Sequence, residues 1–235
     1  MNMNLKADSV SKKYMRDMGE ANYIEPVREC SLFLKEGTLT LLRGRSGCGK
    51  TTLLNMLAGL LAPTTGKVYL DDTDIYSLDD KHLSALRNRY FGIIPQGESA
   101  LHSLTLYENV VLPAGMSADR SRYCDNDIIK KRAEMLLEKY GISKQKNARP
   151  SEMSGGELRR MAICRALILN PPVIFADEPT GDLDDENTLM VFNSLRELAD
   201  TGHTVLIVTH EDIGGDYADD VYRMDAGVLE HVFLN

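Results

Sequence analysis

With 235 residues the chain can build one large domain, or one core with a smaller lobe, and its 43% apolar content is that of an ordinary globular protein. A formal charge of −8 argues against broad electrostatic binding of nucleic acid, although backbone N–H groups and a single lysine can still make a local anion site. A membrane-spanning helix needs about 20 apolar residues, which "NMLAGLLAP" and "TVLIVTH" do not approach, and the opening "MNMNLKADSVSKKYMRDMGE" has no apolar h-region, so neither a bilayer span nor a secretory signal is expected.

In chain order, Tyr14 in "SKKY" comes first: it could stack on an adenine ring, although an aromatic near a strand is usually core. "TLTLLRG" (38–44) reads as a strand, and "GRSGCGKTT", Gly44–Thr52, follows it. "GKVYLDDTDI" (66–75) suits antiparallel strands packed against the core, and "YFGIIPQ" (90–96) is a strand ending at Gln96. From about 97 to 170 no strong strand is expected, and this stretch reads as a helical insertion. Within it "NDIIKKRAEMLLEKYG" is an amphipathic helix with Ile129, Ala133, Leu136 and Tyr140 on one side and Gly141 as its stop. "RPSEM" (149–153) is a turn-rich joint. "PVIFADE" (172–178) and "HTVLIVTH" (203–210) are near-continuous apolar runs, as in strands buried on both faces of a parallel sheet. Ligands gather at the carboxyl ends of such strands, which points to Gly44, Gln96, Asp177, Glu178 and His210.

Gly44–Thr52 matches G-x-x-x-x-G-K-[ST] between an expected strand and an expected helix, so it is an NTP site. The glycines let the backbone curl its N–H groups toward phosphates, and the helix start adds partial positive charge. Arg45, Ser46, Gly47, Cys48, Gly49 and Thr52 complete the loop around Lys50, which reaches the β- and γ-phosphates, and Thr51, whose hydroxyl can ligate Mg²⁺. Asp177 is placed to hold Mg²⁺ through water, and Glu178 to activate a water on the γ-phosphate. Alternation would send these two to opposite faces, so the strand must end there. Four cysteines (30, 48, 124 and 164) form no C-x-x-C pair and read as reduced thiols. Alkylation of Cys48 is expected to block ATP binding.

"MSGGELRR" (153–160) raises a second phosphate question. Ser154 and Glu157 fit a capping box, and Gly155 and Gly156 leave the helix start bare, which suits an anion. The helix is expected to continue through Leu158, Met161, Ala162, Arg165 and Leu169. Spacing alone favours a well-capped structural helix.

Taken together, these motifs resemble the ATP-binding cassette (ABC) ATPases along nearly the whole chain. They comprise the aromatic Tyr14, the Walker A loop Gly44–Thr52, the Q-loop Gln96 and the signature Met153–Glu157. Walker B Val173–Glu178, the D-loop Gly181–Asp184 and the switch histidine His210 follow. The resemblance implies an α/β fold: a RecA-like P-loop NTPase core with an antiparallel β subdomain (1–96 and 171–235) and an inserted α-helical signature subdomain (about 97–170), one cassette domain in all. It implies an Mg²⁺-dependent ATPase in which two copies pack head to tail, Ser154 and Gly156 of one closing over ATP held by the other. Gln96 would sense Mg²⁺ and the γ-phosphate and contact a membrane partner, His210 would contact the γ-phosphate, and Asp184 would act across the dimer. Departures from the family pattern are Met153 for leucine and Glu157 for glutamine; Asp182 stands where one branch of the family commonly has asparagine.

"ADEPTGDLD" (176–184) and "YENVVLPAG" (107–115) are similar to the branch serving lipoprotein release, macrolide or antimicrobial-peptide export, and cell division. The resemblance implies separate transmembrane permease subunits, no fused permease, and a cytoplasmic protein held at the inner face of the membrane through its partner. The alternatives within the family are a soluble cassette of the iron–sulfur assembly type and a regulator of the cell-division type.

Overall fold

The computed structural model describes residues 3–15, 23–116, 126–181, 183–210 and 214–232; Cys124 and Asp182 lie outside them. The strands are β1 Leu5–Met15, β2 Tyr23–Leu34, β3 Leu39–Arg43, β4 Thr65–Leu70 and β5 Thr73–Asp74. They continue as β6 Phe91–Ile94, β7 Val173–Asp177, β8 Thr204–Thr209, β9 Asp220–Asp225 and β10 Val228–Val232. The helices are α1 Lys50–Leu57, α2 Asp80–Tyr90, α3 Leu106–Gly115, α4 Asn126–Lys139, α5 Gly155–Leu167 and α6 Asp185–Asp200.

The larger sheet runs β10-β9-β3-β8-β7-β6. From β9 to β6 every neighbour is parallel, with Leu39 opposite Val205 and Phe91 opposite Val173, and β10 turns back antiparallel on β9. Every residue of β7 and β8 is buried, because helices or the second sheet cover both faces. Alternation then divides the core in two. Ile174, Ala176 and Ile207 pack with Tyr140, Ile163 and Phe192 on the helical side. Val173, Phe175, Leu206 and Val208 pack with Leu53 and Leu57 of α1 and with Val10 and Leu32 of the second sheet. That second sheet is antiparallel, ordered β2-β1-β4-β5. Its strand β1 is bulged between Ala7 and Val10, where Ser9 takes φ 50.

Residues 97–170 contain α3, α4 and α5 and, among the described residues, no strand. Ile129, Ala133 and Leu136 of α4 are all buried, Tyr140 follows the helix and is buried too, and Gly141 turns the chain at φ 65. Two boundaries differ from expectation. α5 stops at Leu167 rather than running through Leu169, because Asn170 at φ 52 donates back to the Leu167 carbonyl at 3.0 Å. Tyr90 closes α2, so the strand before Gln96 begins at Phe91. α2 itself was not expected; Asp79 caps it by accepting the His82 N–H at 2.8 Å. No described helix is long and apolar enough to cross a membrane.

Candidate active site

The parallel strands all point their carboxyl ends at one edge. β3 delivers Gly44–Thr52, β6 delivers Gln96, β7 delivers Asp177 and Glu178, and β8 delivers His210.

The loop after β3 wraps closely enough that two of its glycines admit no side chain. A Cβ at Gly44 would strike the Met224 carbonyl and the Cys48 Sγ, and one at Gly49 would strike the Pro26 carbonyl. Gly49 also sits at φ 112 as the cap of α1, a left-handed conformation that only glycine adopts cheaply. The first turn of α1 carries no acidic side chain of its own; the carboxylates beside it, Asp177 and Glu178, come from the end of β7. Lys50 is only 5% exposed, and its ammonium donates to the Gly44 carbonyl at 2.7 Å and the Arg45 carbonyl at 3.0 Å. Ser46, Gly47, Gly49, Lys50, Thr51 and Thr52 line a small cleft of about 150 Å³ together with Pro26, Gln96 and Glu178. Arg45 is exposed and Cys48 is buried, and neither lines this cleft.

Asp177 ends β7, and Thr51 Oγ1 donates to its Oδ1 at 3.2 Å. Burial raises the Asp177 carboxyl pKa; the Thr51 bond opposes the shift and the neighbouring Glu178 charge adds to it. A hydroxyl beside a carboxylate at the mouth of a phosphate cradle is an oxygen donor set that suits Mg²⁺, which usually takes one or two protein ligands plus substrate phosphates. No cluster of three or more His, Cys, Asp or Glu able to hold a metal occurs among the described residues. The strand does end here. Glu178 takes φ 46, and its N–H donates to the Val208 carbonyl at 2.8 Å. Its carboxylate lies between two cationic or polar partners. Oε1 is 3.9 Å from Lys50 Nζ; Oε2 is 2.9 Å from His210 Nδ1 and accepts the His210 N–H at 3.3 Å.

Gln96 is exposed and lines both this cleft and a larger one of about 470 Å³, whose walls also include Gly155, Arg159, Glu178, Gly181 and His210. Tyr14 lines neither cleft. It stands on β1 opposite Ile24, 40% exposed, with Lys12 Nζ 5.2 Å from its ring centroid.

The second glycine motif builds the start of α5. The Ser154 hydroxyl accepts the Glu157 N–H at 3.3 Å and donates to Glu157 Oε2 at 3.0 Å, while the Ser154 N–H donates to the same oxygen at 2.8 Å. Gln145 Nε2 holds the other oxygen, Oε1, at 2.6 Å. These bonds, the Ser154 N–H first, pull the Glu157 carboxyl below its usual range. Gly155 is exposed, and a Cβ built there would meet nothing within 4 Å, so the helix start is open. Asp184 caps α6 through the Asn187 N–H at 2.8 Å, and Arg160 of α5 donates to the Asn187 side chain at 2.6 Å. Sequence reasoning missed Arg159, which is buried at 8% exposure. Its spacing was the available signal: it precedes the buried Ala162 and Ile163 by three and four residues and shares their face.

The family model described as ABC transporter matches residues 27–181. An uncharacterised ABC transporter ATP-binding protein of Mycobacterium tuberculosis is 39% identical over 210 residues, which are 88% of this chain; the chain spans 61% of that relative's length. The lipoprotein-releasing system ATP-binding protein LolD 2 of Rhodopirellula baltica is 38% identical over 96% of this chain and 88% of its own. Among solved structures, the dimeric bacterial ABC transporter cassette MJ0796 superposes with a TM-score of 0.84 at 33% identity, covering 98% of this chain and all of that one. The same cassette has also been solved as a dimer in a post-hydrolysis state bound to ADP and Pi; that structure again gives 0.84, at 32% identity and the same coverage.

Proposed function

This chain belongs to the ABC transporter family, and we propose that it is one of the family's ATP-binding, ATP-hydrolysing subunits, two copies of which sandwich ATP so that each closes the other's site. The observation that carries the reading is the convergence of Lys50, Asp177, Glu178 and His210 on one sheet edge while the open helix start at Ser154 belongs to a different element.

The loop from Gly44 to Thr52 would hold the phosphates through its N–H groups, with Lys50 turning from its own loop carbonyls toward the β- and γ-oxygens. Tyr14 would stack on the adenine. Thr51 and Asp177, with Gln96 beside them, would hold Mg²⁺, which supplies charge neutralisation on the β- and γ-phosphates when bound. Glu178 would accept the proton of the attacking water. The His210 contact at 2.9 Å orients its carboxylate and leaves that histidine, 57% exposed in its side chain, able to reach the γ-phosphate. Ser154, Gly155 and Gly156 of the neighbouring copy would add the helix N–H groups that complete the charge stabilisation. Asp184, at the start of α6, would meet the other copy.

We read the chain as one cassette domain, with about 97–170 as a helical insertion in the α/β core. Its partners would be a second copy and separate permease subunits, which would hold it at the cytoplasmic face of the membrane, in the lipoprotein-release and export branch. Light scattering with ATP tests the core of this reading. Glu178→Gln should shift from monomer to dimer on adding ATP, and Glu178→Gln with Ser154→Arg should stay monomeric. A solitary molecule that hydrolyses ATP at full rate with Ser154 and Gly156 disabled would overturn it.

A further inference from the structure

α5 serves two sites at once. Its N-terminus presents Ser154, which the reading above assigns to the neighbouring copy, while Arg159, just over one turn on, reaches back into this copy's own catalytic edge. The Arg159 guanidinium donates to the Pro95 carbonyl at 2.7 Å and to the Glu178 carbonyl. Pro95 immediately precedes Gln96, and Glu178 is the hydrolytic carboxylate. Farther along the same helix, Arg165 donates to the Ser99 carbonyl at 2.7 Å and to the Ser99 hydroxyl. The helix therefore grips the Gln96 loop on both sides.

An arginine presents its donors in a rigid planar fork, so two carbonyls taken by one guanidinium are fixed relative to each other and to the helix that carries it. Glu178 needs such support. At φ 46 it occupies a region that non-glycine residues keep only when neighbours hold them there. The Val208 carbonyl holds its N–H at 2.8 Å, and Arg159 holds its carbonyl. Both of these Arg159 hydrogen bonds go to backbone carbonyls, and the side chain, which borders the larger cleft, is 8% exposed. Through these two carbonyls it is placed to set the geometry of the hydrolytic edge.

We propose that Arg159 is a positioning residue that ties the helix offered to the neighbouring copy to the hydrolytic edge of its own site. ATP engaging Gln96 and Glu178 in one copy thereby sets the orientation of the Ser154 end that this copy presents to the other. The proposal rests on the two-copy reading of the previous subsection.

The test compares the full chain with Arg159→Met, which removes both bonds, and Arg159→Lys, which keeps the charge and can reach one carbonyl. Affinity of the dilute chain for a fluorescent ATP analogue should stay within about twofold in both variants, because the phosphate loop is untouched. Arg159→Met should lower kcat about a hundredfold, the scale of a small misplacement of a reacting group, with KM nearly unchanged, and Arg159→Lys should recover part of it. Hydrogen exchange at Gly155–Leu158 should respond to ATP in the wild type and in Arg159→Lys, but not in Arg159→Met. Wild-type kcat in Arg159→Met would overturn the proposal, as would a wild-type α5 terminus indifferent to ATP. So would equal losses of melting temperature, nucleotide affinity and kcat in both variants, since that pattern marks a purely structural arginine. A wild-type chain that never binds ATP would remove the parent reading, and this one with it.

Discussion

Glu178→Gln separates binding from hydrolysis most cleanly. The substitution preserves shape and removes one charge from a side chain that is 3.9 Å from Lys50 Nζ and 2.9 Å from His210 Nδ1. Losing a general base costs about 10²–10⁴ in rate, which at about 1.36 kcal/mol per tenfold is roughly 2.7–5.5 kcal/mol of barrier. Binding should move the other way. Opposite unit charges at the Lys50–Glu178 separation attract by roughly 4 kcal/mol at an effective dielectric of about 20. ATP must compete with that attraction for the ammonium. If about a third of it is released to the phosphates, affinity rises about tenfold. Phosphate release in single turnover and equilibrium binding of a fluorescent ATP analogue measure the two effects on one preparation. Turnover within threefold of wild type would show that Glu178 is not the base. Weaker ATP binding in a folded variant would show that its charge does not compete for Lys50.

Three further outcomes follow from other parts of the molecule. Gly49→Ala should abolish ATP binding and destabilise the chain by at least about 2 kcal/mol, because a Cβ at φ 112 is strained and meets the Pro26 carbonyl; urea unfolding and nucleotide binding check it. Cys48 is 7% exposed, so alkylation should be much slower in the folded chain than in urea. Once the modified chain is refolded it should fail to bind ATP, and unchanged affinity after complete modification refutes this. The Glu157 carboxyl is held below the ordinary glutamate range, first by the Ser154 N–H. A depressed folded value makes its contribution present above the unfolded pKa and lost as pH falls through the folded one. Glu157→Gln should therefore differ from wild type in melting temperature near neutral pH, and the difference should shrink as pH falls below the ordinary glutamate value of about 4.3 and through the lower folded one; a difference that does not shrink in acid would refute the assignment.

Where chemistry demands consecutive residues, the sequence was legible. A phosphate cradle requires glycines and a lysine within one turn, and strands buried on both faces require unbroken apolar runs, so Gly44–Thr52, β7 and β8 could be read directly. The capping box at Ser154 was equally local. What escaped was set by distant contacts. α2 has no fully buried residue and so no apolar stripe to announce it. Arg159 follows Leu158, and composition would bury the leucine and expose the arginine. The structure buries the arginine and leaves Leu158 only partly buried, because carbonyls 64 residues before and 19 residues after Arg159 accept its guanidinium. Spacing to Ala162 and Ile163 shows which face Arg159 is on, but no window of sequence contains those two carbonyl partners.

The Ser154 end of α5 also shows how the two-copy phosphate site proposed above would be compatible with a stable isolated chain. Both hydrogen-bonding roles of the Ser154 hydroxyl are already used by Glu157, whose far oxygen is fixed by Gln145. A bare helix start would be a standing penalty, since its N–H groups have no intrahelical partners; the capping box relieves it at a value of about 1 kcal/mol. For the serine to donate to a neighbour's γ-phosphate its hydroxyl proton must leave Glu157, an exchange that a charged phosphate acceptor can offset and a water molecule cannot. On this account the lid stays closed on itself until a second copy brings its ATP.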